Sequence, residues 1–433
     1  MNDYDSERVD ALLQEQHFMP AVSPESADLI LLNTCSVRQK AADKIYSELG
    51  RLRKLKHANP RLLIGVGGCL AQHEPDKLLQ QFPCIDLIYG TQALARLPGL
   101  IRAAIDGKRA VDVALDAAQT AYTRLPRRIP APGQTSAFVS IMQGCNNYCT
   151  YCIVPYVRGP EWSRTLEDIL EEVNQLIQAG VRDITLLGQN VNSYGKTLSP
   201  PTIFADLLHR LNALAGLERL RFVTSHPRDL SVELITCFGK LEKLCEHIHL
   251  PLQSGSDRIL RAMNRSYTPA HYSGLIEKLR HACPNICITS DIIVGFPGET
   301  EEDFIKTRDF VENMSFDDLF IFHYTDRHGT RACSLEDKIP YNIKIQRLRE
   351  LNALQRGISK DRNEQLVGKT LEVLFERSSS RGNGCLAGRT RSNKIVNCPA
   401  PTDLTGKNAP VIIRKASIHS LTGTLIQGHC QHD

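Results

Sequence analysis

The chain has 433 residues, is 42% hydrophobic and 23% charged, and has a mean hydropathy of −0.24. These are globular proportions with enough length for two or three domains. They exclude disorder or membrane insertion as a reading of the whole chain, since no apolar run approaches the roughly eighteen residues of a membrane helix. The polar, acidic opening MNDYDSERVD fits neither a secretory signal nor a transit peptide, so a cytoplasmic protein is expected. The net charge of +4 is uneven: from Val367 onward nine Lys and Arg stand against four acids, which makes the tail +5. Such an asymmetry implies a polyanion at that end.

In chain order, residues 3–16 carry Val9, Leu12 and Leu13 at helical spacing. ADLILLN (27–33) reads as a buried strand, followed by Thr34-Cys35-Ser36 as a loop and helix start. A helix from about 37 to 55 presents Ile45, Leu49 and Leu52 on one side. RLLIGVGG (61–68) is a second strand with Cys69 directly after it. A helix over 74–81, a strand over 85–89 and a helix over 91–104 complete an α/β domain with a parallel sheet, residues 1–116. Cys35 and Cys69 thus occupy equivalent places at carboxyl ends of strands, the edge where open parallel sheets bind ligands. The domain opens with a helix where a strand is usual.

Residues 117–136, rich in Pro, Arg, Ala and Ser, read as a linker. From 137 to 366 the alternation resumes: FVSIMQG, DITLLGQ (183–189), RLRFVTS (219–225), HIHLPLQ (247–253) and ITSDIIVGF (288–296) are strands separated by helices such as 165–180. That pattern predicts a partial or full α/β barrel, with one long polar helix over 345–366. Residues 367–433 change to short strand-like runs punctuated by Gly, Asn and Pro, which predicts a small antiparallel β-barrel.

Fourteen cysteines in a chain with no export signal are expected to be reduced thiols. Cys145, Cys149 and Cys152 follow the first barrel strand within one eight-residue run, close enough to reach a single metal centre. A structural zinc would want a fourth protein ligand, and no His or Cys lies within the next few residues. A four-iron, four-sulfur (4Fe–4S) cluster on three cysteines keeps one iron open for a small molecule. Cys283 and Cys287 have ligand-like spacing but lead into a strand, so burial is expected for them, as for Cys84, Cys237, Cys245, Cys333, Cys385, Cys398 and Cys430.

CxxxCxxC after a barrel strand, with Tyr151 before the last cysteine, resembles the radical S-adenosylmethionine (SAM) superfamily. Asn33-Thr34-Cys35-Ser36-Val37-Arg38, Gly67-Gly68-Cys69, Leu187-Gly188-Gln189-Asn190-Val191-Asn192, Thr224-Ser225-His226-Pro227, Leu250-Pro251-Leu252-Gln253-Ser254-Gly255-Ser256 and the run Asp291 to Thr300 resemble its methylthiotransferases, in order and over nearly the whole chain. The first and fourth of these are similar to the tRNA branch, MiaB, which adds a methylthio group to C2 of N6-isopentenyl-adenosine at position 37 of tRNA. The resemblance implies two 4Fe–4S clusters. Cys145, Cys149 and Cys152 would hold the one that binds SAM, and Cys35 and Cys69 the auxiliary one. The family's third auxiliary cysteine falls upstream of Met1, on a strand ending Gly-Cys-Gln, so a start codon misplaced downstream is expected. Two SAM molecules, one supplying methyl and one the radical, and an electron donor such as flavodoxin are also implied. The tail resembles the TRAM domain, an RNA-binding module, with Arg389, Arg391 and Lys394 expected on the tRNA.

Quieter residues keep two readings. Gly188 and Gln189 end a barrel strand where SAM would touch backbone and amide, or are only a turn. Tyr151 stacks near the adenine or packs behind the cluster. Arg158 and Arg164 pair with an anion or are solvated, and His226, His247 and His249 line a substrate path or are core histidines. A monomeric enzyme with no membrane partner is expected. The alternatives are a sister methylthiotransferase acting on threonylcarbamoyl-adenosine or a ribosomal protein, and a non-catalytic zinc-bearing RNA-binding protein.

Overall fold

A computed structural model describes residues 1–34, 39–115, 125–127, 130–131, 133–379, 384–401 and 404–426. They form two compact units: Met1–Ile129, Ser140–Tyr148 and Cys152–Glu172 make the first, and Pro130–Val139, Cys149–Tyr151 and Val173–Asp433 the second.

In the first unit, helix α1 (Asn2–Glu15) precedes a sheet ordered β1 (Leu29–Thr34), β2 (Leu63–Gly68), β3 (Leu87–Tyr89), β4 (Ala110–Asp112), all parallel. The connections carry α2 (Gln39–Ala58), α3 (Cys69–His73), α4 (Pro75–Gln81) and α5 (Leu97–Ile105). Leu49 and Leu52, two of the three apolar residues expected on one side of α2, are fully buried against Ile64, Val66 and Ile88, with Ile45 packed beside them. β4 was not expected, because three residues reading Ala-Val-Asp are too short to show a period. Gly67 is required where it stands, since a Cβ there would lie 2.0 Å from the Tyr89 ring.

The barrel strands begin with β5 (Ser136–Ser140), followed by the short antiparallel pair β6 (Met142–Gln143) and β7 (Trp162–Ser163), with α6 (Val154–Arg158) between them. Helix α7 (Leu166–Gln178) buries Ile169, Val173 and Leu176, spaced four and three residues apart on one face. β5, β8 (Asp183–Leu187) and β9 (Arg219–Phe222) form one sheet, and β10 (His247–His249), β11 (Cys287–Val294) and β12 (Asp318–His323) another. A parallel bridge between Leu220 and Leu244 joins them, so the partial rather than the full α/β barrel is present among the described residues. Helices α8 (Phe204–Asn212), α9 (Val232–Lys240), α10 (Asp257–Ala262), α11 (Pro269–Ala282) and α12 (Glu301–Met314) separate the strands. Several start on side-chain caps: Ser231, Thr268 and Thr300 each accept the backbone N–H of the third helical residue. β12 was missed because its charged ends and half-exposed residues, Phe320 among them, carry no buried-strand signature.

The long helix α13 spans Tyr341–Glu364. Beyond it β13 (Thr370–Ser378), β14 (Cys385–Thr390), β15 (Ile395–Pro399), β16 (Asn408–Ala416) and β17 (Leu421–Leu425) close a barrel in the order β13-β14-β15-β17-β16. The expectation of an antiparallel barrel needs one correction: β15 and β17 pair in parallel, Val396 with Leu421. Phe375 is wholly buried in this barrel's core.

Gly144, at the start of the cysteine run, has φ +74°, and a Cβ there would lie 1.9 Å from the Pro160 carbonyl oxygen. Gly144→Ala is therefore expected to cost about 3 kcal/mol, backbone strain and overlap together, read as a fall in the urea midpoint.

Candidate functional site

The cysteine run is fixed from both ends. Pairing of β6 with β7 closes residues 144–161 into a loop, inside which Cys145 N–H donates to the Gly159 carbonyl (3.2 Å) and Glu161 N–H to Asn146 Oδ1 (3.0 Å). In the second unit Thr150 donates its N–H to Met263 O (3.0 Å) and its hydroxyl to Ala262 O (2.9 Å), and its carbonyl accepts from Ala332 N–H (2.8 Å). Cys145 and Cys149 are buried and Cys152 half-buried. Among the described residues no three His, Cys, Asp or Glu side chains are grouped to hold a metal ion. A single zinc draws every sulfur to ~2.3 Å of one point, whereas a 4Fe–4S cluster spreads its cysteines over separate irons.

Against Cys149 stands a group that no motif pointed to. Arg265 is fully buried, with Nη1 donating to Cys149 Sγ at 3.5 Å, Nη2 to Pro251 O at 2.9 Å, and its guanidinium lying 5.0 Å from the Tyr267 ring centroid. The carboxyl ends of three barrel strands carry buried oxygens without a hydrogen-bond partner among the described residues: Gln189 Oε1 and Asn190 Oδ1 after β8, Ser225 Oγ after β9, and Gln253 Oε1 after β10. Each such group costs about 1–3 kcal/mol. Thr224 (φ +69°) and Gln253 (φ +75°) hold left-handed backbone at the same edge, a strain typical of ligand sites. Those residues fit a small polar ligand. Gly188 is buried just past β8, and Tyr151 packs with Ile259, Met263 and Phe296 rather than standing free.

His226 sits in that edge as a capping acceptor for Arg228 N–H (3.2 Å), its pKa lowered to about 2 by burial and by Arg265. His247 is lowered to about 3 by burial and by Arg221. His249 Nδ1 lies 3.0 Å from Thr289 Oγ1, and its Nε2 3.4 Å from Asp291.

In the first unit Cys69 begins α3 at the carboxyl end of β2 and is buried with Ile153 and Val157; Cys35 lies outside the described residues. Arg158 and Arg164 are not solvated. Arg158 pairs with Asp5 (2.7 Å), and Arg164 with Asp168 (2.6 Å) and Glu172 (2.7 Å). Of the cysteines expected to be buried, Cys237, Cys245, Cys283, Cys287 and Cys398 are, with burial raising Cys237 and Cys245 to about 11. Cys84, Cys333 and Cys385 are instead half-buried, each near a surface turn or strand end, and Cys430 lies outside the described residues.

Two of the three residues expected on RNA face acidic partners of the same unit. Arg391 is held by Glu246 (2.8 Å) and by the carbonyls of Glu242 and Leu244, and Lys394 pairs with Asp317 (3.4 Å) and is largely buried. Their charge docks the small barrel onto the strand ends of the larger one, so it is already neutralised. Arg389 pairs with Glu376 (3.3 Å) but stays 37% exposed. Among the described residues the exposed cations of this barrel are Lys369, Arg377, Lys407, Arg414 and Lys415.

The fold is that of solved radical SAM proteins. The methyltransferase TsrM from Kitasatospora setae, with cobalamin and a [4Fe-4S] cluster bound, matches with a TM-score of 0.58 at 14% identity, over 76% of this chain and 71% of that one. Family models match in the same order: the Radical SAM superfamily over 139–311, uncharacterized protein family UPF0004 over 1–90 and the TRAM domain over 364–426. The chain is 49% identical, over 98% of its length and 92% of the relative's, to tRNA-2-methylthio-N(6)-dimethylallyladenosine synthase of Syntrophus aciditrophicus. It is 46% identical to that of Carboxydothermus hydrogenoformans, over 98% and 97%. The chain belongs to this family of radical SAM, iron–sulfur methylthiotransferases.

The two depressed histidines set a pH dependence. Unfolded, each takes up a proton near pH 6.5, while the folded chain refuses it down to about 3 for His247 and about 2 for His226. Stability is thus expected to fall as pH drops below 6.5, by up to ~1.4 kcal/mol per pH unit per histidine. Urea midpoints at pH 7, 6 and 5 check this, and His247→Gln should flatten the slope.

Proposed function

We propose that the chain methylthiolates C2 of N6-isopentenyl-adenosine at position 37 of tRNA, giving 2-methylthio-N6-isopentenyl-adenosine. The near-full-length identity of 49% to a synthase of that name carries the reading. A purine C2–H is not acidic, so no side-chain base activates it. When bound, the cluster and SAM together supply the one-electron chemistry that removes such a hydrogen.

The chain's own residues do the rest. Cys145, Cys149 and Cys152 hold the cluster that binds SAM. Arg265 keeps a permanent positive charge beside Cys149, suited to the carboxylate of a ligand bound there. Gln189, Asn190, Ser225 and Gln253 offer their unpartnered oxygens to hydroxyl and amino groups, and Gly188 allows close backbone approach. The neutral imidazole of His226 adds no competing charge. Tyr151 packs behind the cluster loop. Cys69 and Cys35 would hold an auxiliary cluster, whose chemistry would be supply of the inserted sulfur.

tRNA is met by the exposed cations Lys369, Arg377, Lys407, Arg414 and Lys415, with Arg389 at their margin, through phosphate contacts. No described helix is long and apolar enough to cross a membrane. The protein works in the cytoplasm as a monomer, reduced by a donor such as flavodoxin.

The test is nucleoside analysis after anaerobic reconstitution with iron, sulfide, SAM, a reductant and tRNA bearing the isopentenyl group. The 2-methylthio nucleoside is expected, and is lost in Cys145→Ala. Product only on threonylcarbamoyl-adenosine or on a ribosomal protein would mean the sister activity, and zinc without iron would sink the radical chemistry altogether. On binding, Lys369→Ala with Arg414→Ala and Lys415→Ala is expected to weaken tRNA affinity and to lower the slope of log K against log salt by about 2–3. Arg391→Ala should leave that slope unchanged and lower stability by ~2 kcal/mol, the worth of a charged hydrogen-bond set.

A further inference from the structure

The inner wall that β10, β11 and β12 give the larger barrel is fixed by register. His249 lies opposite Thr289, Asp291 opposite Phe320, and Ile293 opposite Phe322. Side chains two apart on a strand share a face, so these six stand on one side of the sheet. The alternate residues Ser290, Ile292 and Val294 are buried on the other. That side is the helix side, because Ser290 Oγ (2.8 Å) and Tyr272 Oη of α11 (2.7 Å) both donate to Leu250 O.

Barrel interiors are normally filled with branched apolar side chains. Here Phe320 is left 46% exposed, more than any other large apolar residue on the described barrel strands. Its ring is nevertheless held. His249 meets it in a T-shaped contact, with ring centroids 5.8 Å apart. His249 is fixed in turn at both nitrogens, Nδ1 lying 3.0 Å from Thr289 Oγ1 and Nε2 3.4 Å from Asp291 Oδ2. Further along the same face Ile293 packs against the apolar group that includes Tyr151 of the cysteine run. Two residues of strand span about 7 Å, so Phe320 stands roughly that far from Ile293 along the sheet.

A rigid aromatic face offers a ligand apolar burial at little cost in side-chain entropy. On N6-isopentenyl-adenosine the group without polar atoms is the branched hydrocarbon chain. The threonylcarbamoyl group has a carboxylate and a hydroxyl in that place. A hydrocarbon gains by leaving water against such a ring, whereas a carboxylate loses its hydration.

We infer that Phe320, buttressed by His249, is a specificity-determining residue that receives the isopentenyl chain of the tRNA base. This rests on the methylthiotransferase reading above. No bond forms or breaks at Phe320, which supplies binding and orientation only.

The experiment measures the affinity of the reconstituted full chain for two tRNAs, with isopentenyl-adenosine or unmodified adenosine at position 37. Kinetics of 2-methylthio product formation are followed on the first. Wild type is expected to prefer the isopentenyl form by about tenfold, and Phe320→Ala to abolish most of that preference. Phe320→Leu, still apolar, should keep most of it. Affinity for the unmodified tRNA should be equal in all three, which a disturbed fold would not give. The loss in Phe320→Ala should appear in KM rather than kcat, as expected for binding felt equally by ground and transition states. The same preference in wild type and Phe320→Ala, or an equal loss of affinity for both tRNAs, would overturn the role of Phe320 while leaving the methylthiotransferase reading standing. A wild type that forms no product on the isopentenyl tRNA would remove that reading, and the inference with it.

Discussion

The structure depends on burying guanidinium groups. Arginine stays charged at any physiological pH, so a buried one must be met by carboxylates, carbonyls or a ligand. Arg8, Arg158 and Arg164 gather Tyr4, Asp5, Asp168 and Glu172 in the first unit. Arg219 and Arg221 reach from β9 to the carbonyls of Arg389, Thr390 and Arg391 on the small barrel. Arg347 of α13 pairs with Glu299, whose carboxylate also accepts Gly295 N–H beyond β11. Each set fixes the direction of an element rather than adding much net stability, because desolvation offsets most of the attraction. Arg265 differs from these in that one nitrogen of its fork donates to a cysteine sulfur.

That difference bears on how the site is held before any ligand arrives. Thr150 lies between the second and third cysteines of the run and bonds to two later segments through its N–H, hydroxyl and carbonyl. Gly144 supplies the one backbone conformation that lets the run leave β6 under Pro160. The cysteines are therefore placed by bonds that do not involve sulfur. A catalytic cluster held by three protein ligands needs such placement, since it has no fourth cysteine to close the cage.

Much of this was legible in the sequence where local pattern and tertiary context agree. The alternation of strands and amphipathic helices located β1 to β3 and five of the six barrel strands, and the Gly-punctuated tail pointed to the small barrel. The misses have physical causes. β4 is shorter than any period, and β12, at a sheet edge, mixes Asp318, His323 and a half-exposed Phe320. The three-cysteine run was legible because its spacing is local. Arg265 was not, because it lies more than a hundred residues beyond Cys149 and only the fold brings the guanidinium to the sulfur.

The basic tail shows the limit of counting charge. Arg391 and Lys394 belong to the +5 tail, yet both lie against acids of the α/β barrel, Glu246 and Asp317. A cation within 4 Å of a partly buried carboxylate is already neutralised and gains little from a phosphate, which would have to displace a geometry the fold has built. Among the described residues the exposed cations of this barrel stand at or beside strand ends. Lys369 opens β13 beside Ile413, and Arg414 and Lys415 close β16. The register of β13 with β16, not the composition of the tail, therefore decides where on the small barrel these exposed cations stand.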